Sequence, residues 1–222
     1  MSSIRDRGKE RYGLALTLIL ASMIFIMAAP TGPWAQVVSL SLQALALFAS
    51  LRAAQPSIHL RVACAVIIGL VILAAWTQAS FSGDVNSDYV HLATFALVVI
   101  ATPVITLGLV RQVRERGAIT VHTMLGVLCI YLLMCLAFAS GFGAVAAYQN
   151  EPFFTQGASW DEINNYLYYS LTTITTVGMG DLTPSTDLGR SLTGAEALIG
   201  QIYVITVVAV IVSNLKPRKQ DG

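Results

Sequence analysis

Uncharged stretches long enough to cross a lipid bilayer recur along this 222-residue chain and leave little sequence outside them. A hydrocarbon core about 30 Å thick needs roughly 20 apolar residues per helix. Stretches of that size run over Tyr12–Ala29, Trp34–Leu51, Ile58–Ala79, Tyr89–Val110, Ala118–Tyr148 and Leu192–Leu215, the last carrying the single acid Glu196. Pro30 with Pro33, Pro56, the polar segment Ser80–Asp88 and the basic segment Arg111–Arg116 separate them. Only 11% of the residues are charged, where a soluble domain carries about 25%. The fold class expected is therefore an all-α membrane protein with six transmembrane helices.

Charge placement gives the threading. Arg5, Arg7, Lys9 and Arg11 precede the first span as in a signal peptide. Pro30 directly after Ala28–Ala29 makes a poor cleavage site, however, and the run is long for a leader, so the span is expected to be retained. With the N-terminus cytoplasmic, twelve of the 13 basic residues fall inside, and Arg190 alone lies outside. Asp84, Asp88, Glu151, Asp161, Glu162, Asp181 and Asp187 fall on the outer side. Both termini are then cytoplasmic, and the pattern fits a bacterial inner (cell) membrane. A net charge of +1 supplies no basic face and argues against nucleic acid as a partner. Cys64, Cys129 and Cys135 lie in apolar runs without paired spacing, and His59, His91 and His122 share no ligand spacing, so neither a disulfide framework nor a metal cluster is expected.

One segment, Asn150–Asp187, fits neither a short loop nor a soluble domain. Ser159-Trp160-Asp161-Glu162 has the form of a helix start with a capping box, and its acids suit the positive end of a helix dipole. The amphipathic run Ile163–Leu171 that follows is too short to cross a bilayer. The pattern then changes to Thr172-Thr173-Ile174-Thr175-Thr176-Val177-Gly178-Met179-Gly180-Asp181, whose alternate glycines allow backbone angles closed to other residues. Polar backbone at membrane depth is tolerated only where it is buried in protein or lines a watery path. A short helix ending at such a strand aims its negative end, and then a row of carbonyls, at one place, which favours a dehydrated cation.

Thr175-Thr176-Val177-Gly178-Met179-Gly180-Asp181 resembles the selectivity filter of the tetrameric P-loop potassium channel superfamily, whose usual form is Thr-Val-Gly-Tyr-Gly-Asp. The flanks agree: a re-entrant helix precedes it, Leu182-Thr183-Pro184 follows, Gly189-Arg190 opens the last span, and Glu196–Tyr203 resembles the inner helix of bacterial members. The resemblance covers about Ala118–Leu215 and points to a prokaryotic six-transmembrane member. It implies a voltage-sensor-like domain at 1–117, a pore domain at 118–216 and a short cytoplasmic tail at 217–222. It also implies a homotetramer, because four filter loops are needed and the chain has one. Potassium would be held by the carbonyls of Thr176, Val177, Gly178 and Met179 and the Thr176 hydroxyl, with Gly180 completing the strand. Thr175, Asp181, Tyr168, Tyr169 and Glu196 are expected to support the filter. No cofactor is implied beyond the permeant ion.

Met179 stands where the family usually has tyrosine; its carbonyl still serves, but its flexible side chain has no hydroxyl, and a softer, less sodium-excluding filter is expected. Arg111, Arg114 and Arg116 lie at the inner edge of the fourth span, which itself carries no charge, so they read as snorkelling topology residues rather than gating charges. Glu196, an acid inside an apolar helix, reads either as a proton-sensitive or filter-supporting group, or as a carboxylate hydrogen-bonded to backbone or to Tyr168. Gly200 is a gating-hinge candidate, with close packing against the pore helix as the alternative. Pro103 is expected to kink the fourth span, and Tyr12, Trp34, Trp76, Tyr89, Tyr148 and Trp160 to form interfacial belts. The basic ends are expected to meet anionic lipid. With short tails, gating is expected to arise in the membrane part or from a separate partner.

The functional expectation is a passive potassium-selective channel without strong voltage gating. A non-selective monovalent cation channel is the alternative, then a non-conducting membrane scaffold. No nucleophile–base pair, metal cluster or phosphate loop points to an enzyme.

Overall fold

A computed structural model describes residues 9–28, 33–54, 121–149, 151–157 and 163–213, with single helical positions at 62, 65, 66, 69 and 73. Five helices carry them: α1 (Lys9–Ala28), α2 (Pro33–Ala54), α3 (Val121–Gln149), α4 (Ile163–Ile174) and α5 (Asp187–Ser213). Apart from those single positions, the third and fourth expected spans lie outside the described residues, as do Arg111–Arg116, Pro103, the Ser159–Glu162 cap and the tail at 217–222. Among the described residues there is no strand, and two helices are long and apolar enough to cross a membrane, Met124–Gln149 and Asp187–Val210.

Helix α1 ends at Ala28, before Pro30, and α2 opens on Pro33, whose fixed φ and missing N–H suit a first helical position. Along α1 the buried residues Tyr12, Ala15, Ile19, Met23 and Ile26 recur every three or four positions and form one stripe. That stripe joins Leu47 and Leu51 of α2 and Ile130, Leu133 and Leu136 of α3 in one continuous cluster. Tyr12 departs from its expected place in an interfacial belt: it is 2% exposed, and the Cys129 thiol donates to its carbonyl at 3.8 Å. Its position on the stripe, not its nearness to the end of the span, decides where its ring goes. Tyr148, by contrast, is 84% exposed at the end of α3. Buried hydroxyls bond back to their own helices, Ser22 to the Ile19 carbonyl at 2.7 Å and Ser50 to Ala46 at 2.8 Å, which removes the cost of an unpaired polar group.

Beyond α3 the chain folds into a strap. Phe153 and Phe154, each 1% exposed, pair antiparallel with the segment before α5: the Thr155 amide donates to Thr183 O at 2.9 Å and the Ser185 amide to Phe153 O at 2.8 Å. Their rings interlock with Phe142 of α3 and Tyr166 and Tyr169 of α4, Phe142–Phe153 at 4.9 Å and Phe154–Tyr169 at 5.3 Å between centroids. Offset and edge-on ring pairs of this kind add about 0.5–1.5 kcal/mol each beyond burial. Together they fix α4 against the C-terminal half of α3.

Two elements run longer than the sequence pattern gives. Helix α4 continues through Thr172, Thr173 and Ile174, because the Thr172 hydroxyl bonds back to Tyr169 O at 3.0 Å. Helix α5 starts at Asp187 rather than near Leu192, because Thr186 caps it: the Gly189 amide donates to Thr186 Oγ1 at 3.1 Å. Gly189 itself is needed for close approach, since a Cβ there would stand 3.0 Å from Pro184 Cβ and 3.1 Å from the Phe153 ring.

Candidate functional site

The last four carbonyls of a helix have no partner inside it. In α4 each finds one outside. The Leu171 carbonyl accepts the Thr175 amide at 3.2 Å and the Thr175 hydroxyl at 2.6 Å. Thr172 O accepts two amides, those of Val177 at 2.9 Å and Gly178 at 3.0 Å, and Thr173 O accepts the Thr176 amide at 2.9 Å. Ile174 O accepts the phenol of Tyr131 on α3 at 2.9 Å. The loop after α4 is thus held by its N–H groups against the helix end.

The loop backbone alternates in hand. Thr176, Gly178 and Gly180 have positive φ of 60°, 53° and 78°, while Val177 and Met179 do not. Alternation between right- and left-handed conformations turns successive N–H groups to one side of the strand and successive carbonyls to the other. With the amides of residues 176–178 directed back to α4, the carbonyls face away from it, and among the described residues those of 176–180 accept no hydrogen bond. Glycine meets this need at 178 and 180 without strain; Thr176 adopts the left-handed region against a steric cost of roughly 1–2 kcal/mol. Val177 and Met179 are 58% and 64% exposed, so apolar residues stand uncovered on either side of Gly178.

Of the two tyrosines expected to support this loop, they divide the work. The Tyr168 phenol donates to Asp181 Oδ2 at 3.0 Å, and this bond, with the carboxylate charge, holds the phenol above its ordinary pKa. Tyr169 is instead bonded to Thr193 on α5 at 3.0 Å. Asp181 is fixed a second time through its backbone, whose carbonyl accepts Gln156 Nε2 from the strap at 2.7 Å.

Glu196 is completely buried behind α4. Its Oε1 is bonded to the Ser170 hydroxyl, not to backbone or to Tyr168, because Ser170 lies on the face of α4 turned toward α5. The same hydroxyl lies 2.8 Å from Cys135 O on α3, so Ser170 joins three helices. Glu196 Oε2 has no partner among the described residues. Gly200 sits where α5 meets the end of α4: a Cβ would stand 2.6 Å from Ile174 Cγ1 and 3.0 Å from Ile174 O. Helix α5 runs through it unbroken, and the missing side chain leaves room for the close approach of Ile174.

Sequence reading did not single out Tyr131, Ser170, Gln156 or Thr186. Tyr131 and Ser170 carried no signal, being polar groups inside apolar or amphipathic runs. Thr186 was legible: Thr186-Asp187 before a helix is a capping pair, and the end of the Leu182-Thr183-Pro184 segment locates it. Among the described residues no group of three or more His, Cys, Asp or Glu side chains is placed to hold a metal ion.

Comparison with known proteins bears on the same region. Residues 130–216 match the family described as "Ion channel". The chain is also 31% identical over 103 residues to the delayed-rectifier potassium channel regulatory subunit KCNS1 of Mus musculus, over 46% of this chain and 19% of that protein. The chain thus spans about a fifth of the length of that curated relative. No solved structure matches. The hand-alternating loop, the short helix behind it and the two apolar helices that flank them all lie within or at the edge of the matched residues, and this part of the chain is similar to the ion channels of that family.

Proposed function

We propose that the chain is the subunit of a homotetrameric potassium-selective channel in which the carbonyls of Thr176, Val177, Gly178 and Met179 replace the hydration shell of the ion. The observation that carries this reading is the alternation of φ through residues 176–180, with the amides drawn back to Thr172 and Thr173 and the carbonyls left unbonded. Oxygens fixed at the end of a helix dipole attract a bare cation without the cost of reorganising at each passage. The exposed Val177 and Met179 side chains support assembly, since three further copies would cover them and complete the ring. Gly178 and Gly180 provide the conformation, Thr175 and the Tyr168–Asp181 bond brace its two ends, and Glu196 supports it from behind through Ser170.

Six spans, an orientation with both termini cytoplasmic in a bacterial inner membrane, and weak voltage dependence belong to this proposal through the basic residues and the charge-free fourth span. Met179 favours a second reading, a cation channel with little discrimination against sodium: its side chain has no hydrogen-bond donor with which to stiffen the loop. Ion flux from liposomes carrying the purified protein separates the two. Flux with potassium that collapses in sodium supports the first reading, equal flux with both ions supports the second, and no flux from the assembled protein overturns both.

A further inference from the structure

Tyr131 lies on α3, more than forty positions before the loop, and yet it supplies the donor that the last residue of α4 lacks. The carbonyls of Leu171, Thr172 and Thr173 are taken by amides of the loop itself, whereas the Ile174 carbonyl accepts the Tyr131 phenol at 2.9 Å. Ile174 is 1% exposed, so without that phenol its carbonyl would be buried and unpaired. The Tyr131 ring is itself held. It stacks on Tyr203 of α5 at 5.9 Å between centroids and 21° between planes, and the Tyr203 phenol donates to Val127 O, one turn before Tyr131, at 2.7 Å. One turn before Tyr203 is Gly200, whose missing side chain lets α5 close on the same Ile174 peptide. Three helices therefore converge on the peptide that leads into Thr176.

We propose that Tyr131 is a specificity-determining positioning residue: by holding the Ile174 carbonyl it fixes the pivot from which the Thr176 and Val177 carbonyls take their aim. The proposal rests on residues 176–180 being the ion path. The peptide between Ile174 and Thr175 is where the chain leaves the end of α4 toward Thr176, the first residue of alternating hand. Its amide side is tied to Leu171 O and its carbonyl side to Tyr131. Released on the carbonyl side, it can rotate, and the rotation passes directly to Thr176, which holds its positive φ without the tolerance of a glycine.

Tyr131→Phe removes the hydroxyl and keeps the ring stack; Tyr203→Phe removes the other hydroxyl of the same stack and serves as the control. In full-length protein in liposomes, Tyr131→Phe is expected to lower the potassium-to-sodium permeability ratio about fivefold, the equivalent of roughly 1 kcal/mol, the net worth of one hydrogen bond. Tyr203→Phe keeps the bond to Ile174 O and loosens only the ring that makes it, so a smaller fall is expected. An unchanged ratio in Tyr131→Phe, or an equal fall in both variants, overturns the proposal. Amide hydrogen exchange at Val177 and Gly178 gives a second reading independent of conduction: faster exchange in Tyr131→Phe than in Tyr203→Phe supports the positioning role, and exchange equal to wild type refutes it. Wild-type protein that fails to discriminate potassium from sodium counts against the channel reading, and the exchange comparison then still decides the role of Tyr131.

Discussion

Helices α3 and α5 are alike in composition and opposite in circumstance. Both are long and apolar enough to cross a bilayer, but in the apolar part of each, 56% of α3 is buried inside the chain against 11% of α5. Helix α3 is enclosed by α1, α4 and α5, and its buried residues Leu133, Cys135 and Phe142 are inaccessible. Helix α5 is engaged mainly on one face between residues 193 and 203, through Thr193, Glu196, Gly200 and Tyr203, while Leu198, Ile202, Ile205 and Val208 are exposed. The loop repeats the contrast on a smaller scale, with the amides of residues 175–178 paired to α4 and the carbonyls of 176–180 unbonded among the described residues. The described residues build the wall behind the loop and leave its front uncovered, the division that the proposed homotetramer requires of each subunit.

The contrast breaks first at the loop. Gly178→Ala places a side chain at a φ of 53°, where no other atom of the same chain lies within 4 Å, so the loss within each chain comes from backbone conformation, roughly 1–2 kcal/mol per copy. Repeated in four copies, this is expected to abolish potassium selectivity while the helical content measured by circular dichroism stays at the wild-type value. Unaltered selectivity would show that the alternation of hand is not what conducts.

The junction of α4 and α5 is the next place to test. Alanine at an ordinary helical position gains up to about 1 kcal/mol over glycine. Gly200→Ala, however, brings a Cβ against the Ile174 carbonyl, and overpacking of this kind costs typically about 1–3 kcal/mol. A net fall in thermal stability is expected in detergent. A hinge acting alone would give the reverse, a stabler protein with altered opening.

Behind α4, Ser170→Ala leaves Glu196 with both oxygens unpartnered and is expected to lower stability by about 1–3 kcal/mol. Glu196→Gln keeps the shape and can donate to the Ser170 hydroxyl, so its cost should be smaller in the same denaturation assay. Should Glu196→Gln prove the more damaging of the two, the carboxylate has a role that bonding to Ser170 does not explain. The smallest effect is expected at the outer rim, where Tyr168→Phe removes an exposed bond to Asp181 and should change stability by less than about 1 kcal/mol. Faster decay of potassium current in sustained recordings is the more sensitive readout there; an unchanged decay would remove Tyr168 from the support of the loop.

The parts of this molecule that could be read from sequence are those set by local pattern. Apolar length placed α1, α2 and α3 to within about three residues and α5 except for its capped first turn, and the alternate glycines marked the loop because only a special backbone requires them. The Tyr168–Asp181 bond was legible as one of two choices. What escaped was set by contacts between distant segments. Tyr131 and Ile174 are forty-three positions apart, Ser170 and Cys135 thirty-five, and neither pair has a periodicity or motif to announce it. Tyr12 was misplaced for the same reason: only the position of α3 beside it shows that its stripe faces protein. In a bilayer, apolar residues facing lipid and apolar residues facing protein look alike in sequence, so packing partners are the least legible level.

The central claim is that the chain's own copies complete a path selective for potassium, and it is tested most directly by flux from potassium-loaded liposomes containing the purified full-length protein. The account predicts flux that depends on potassium and collapses when sodium replaces it on both sides. Equal flux with either ion, or none from a verified tetramer, would contradict it.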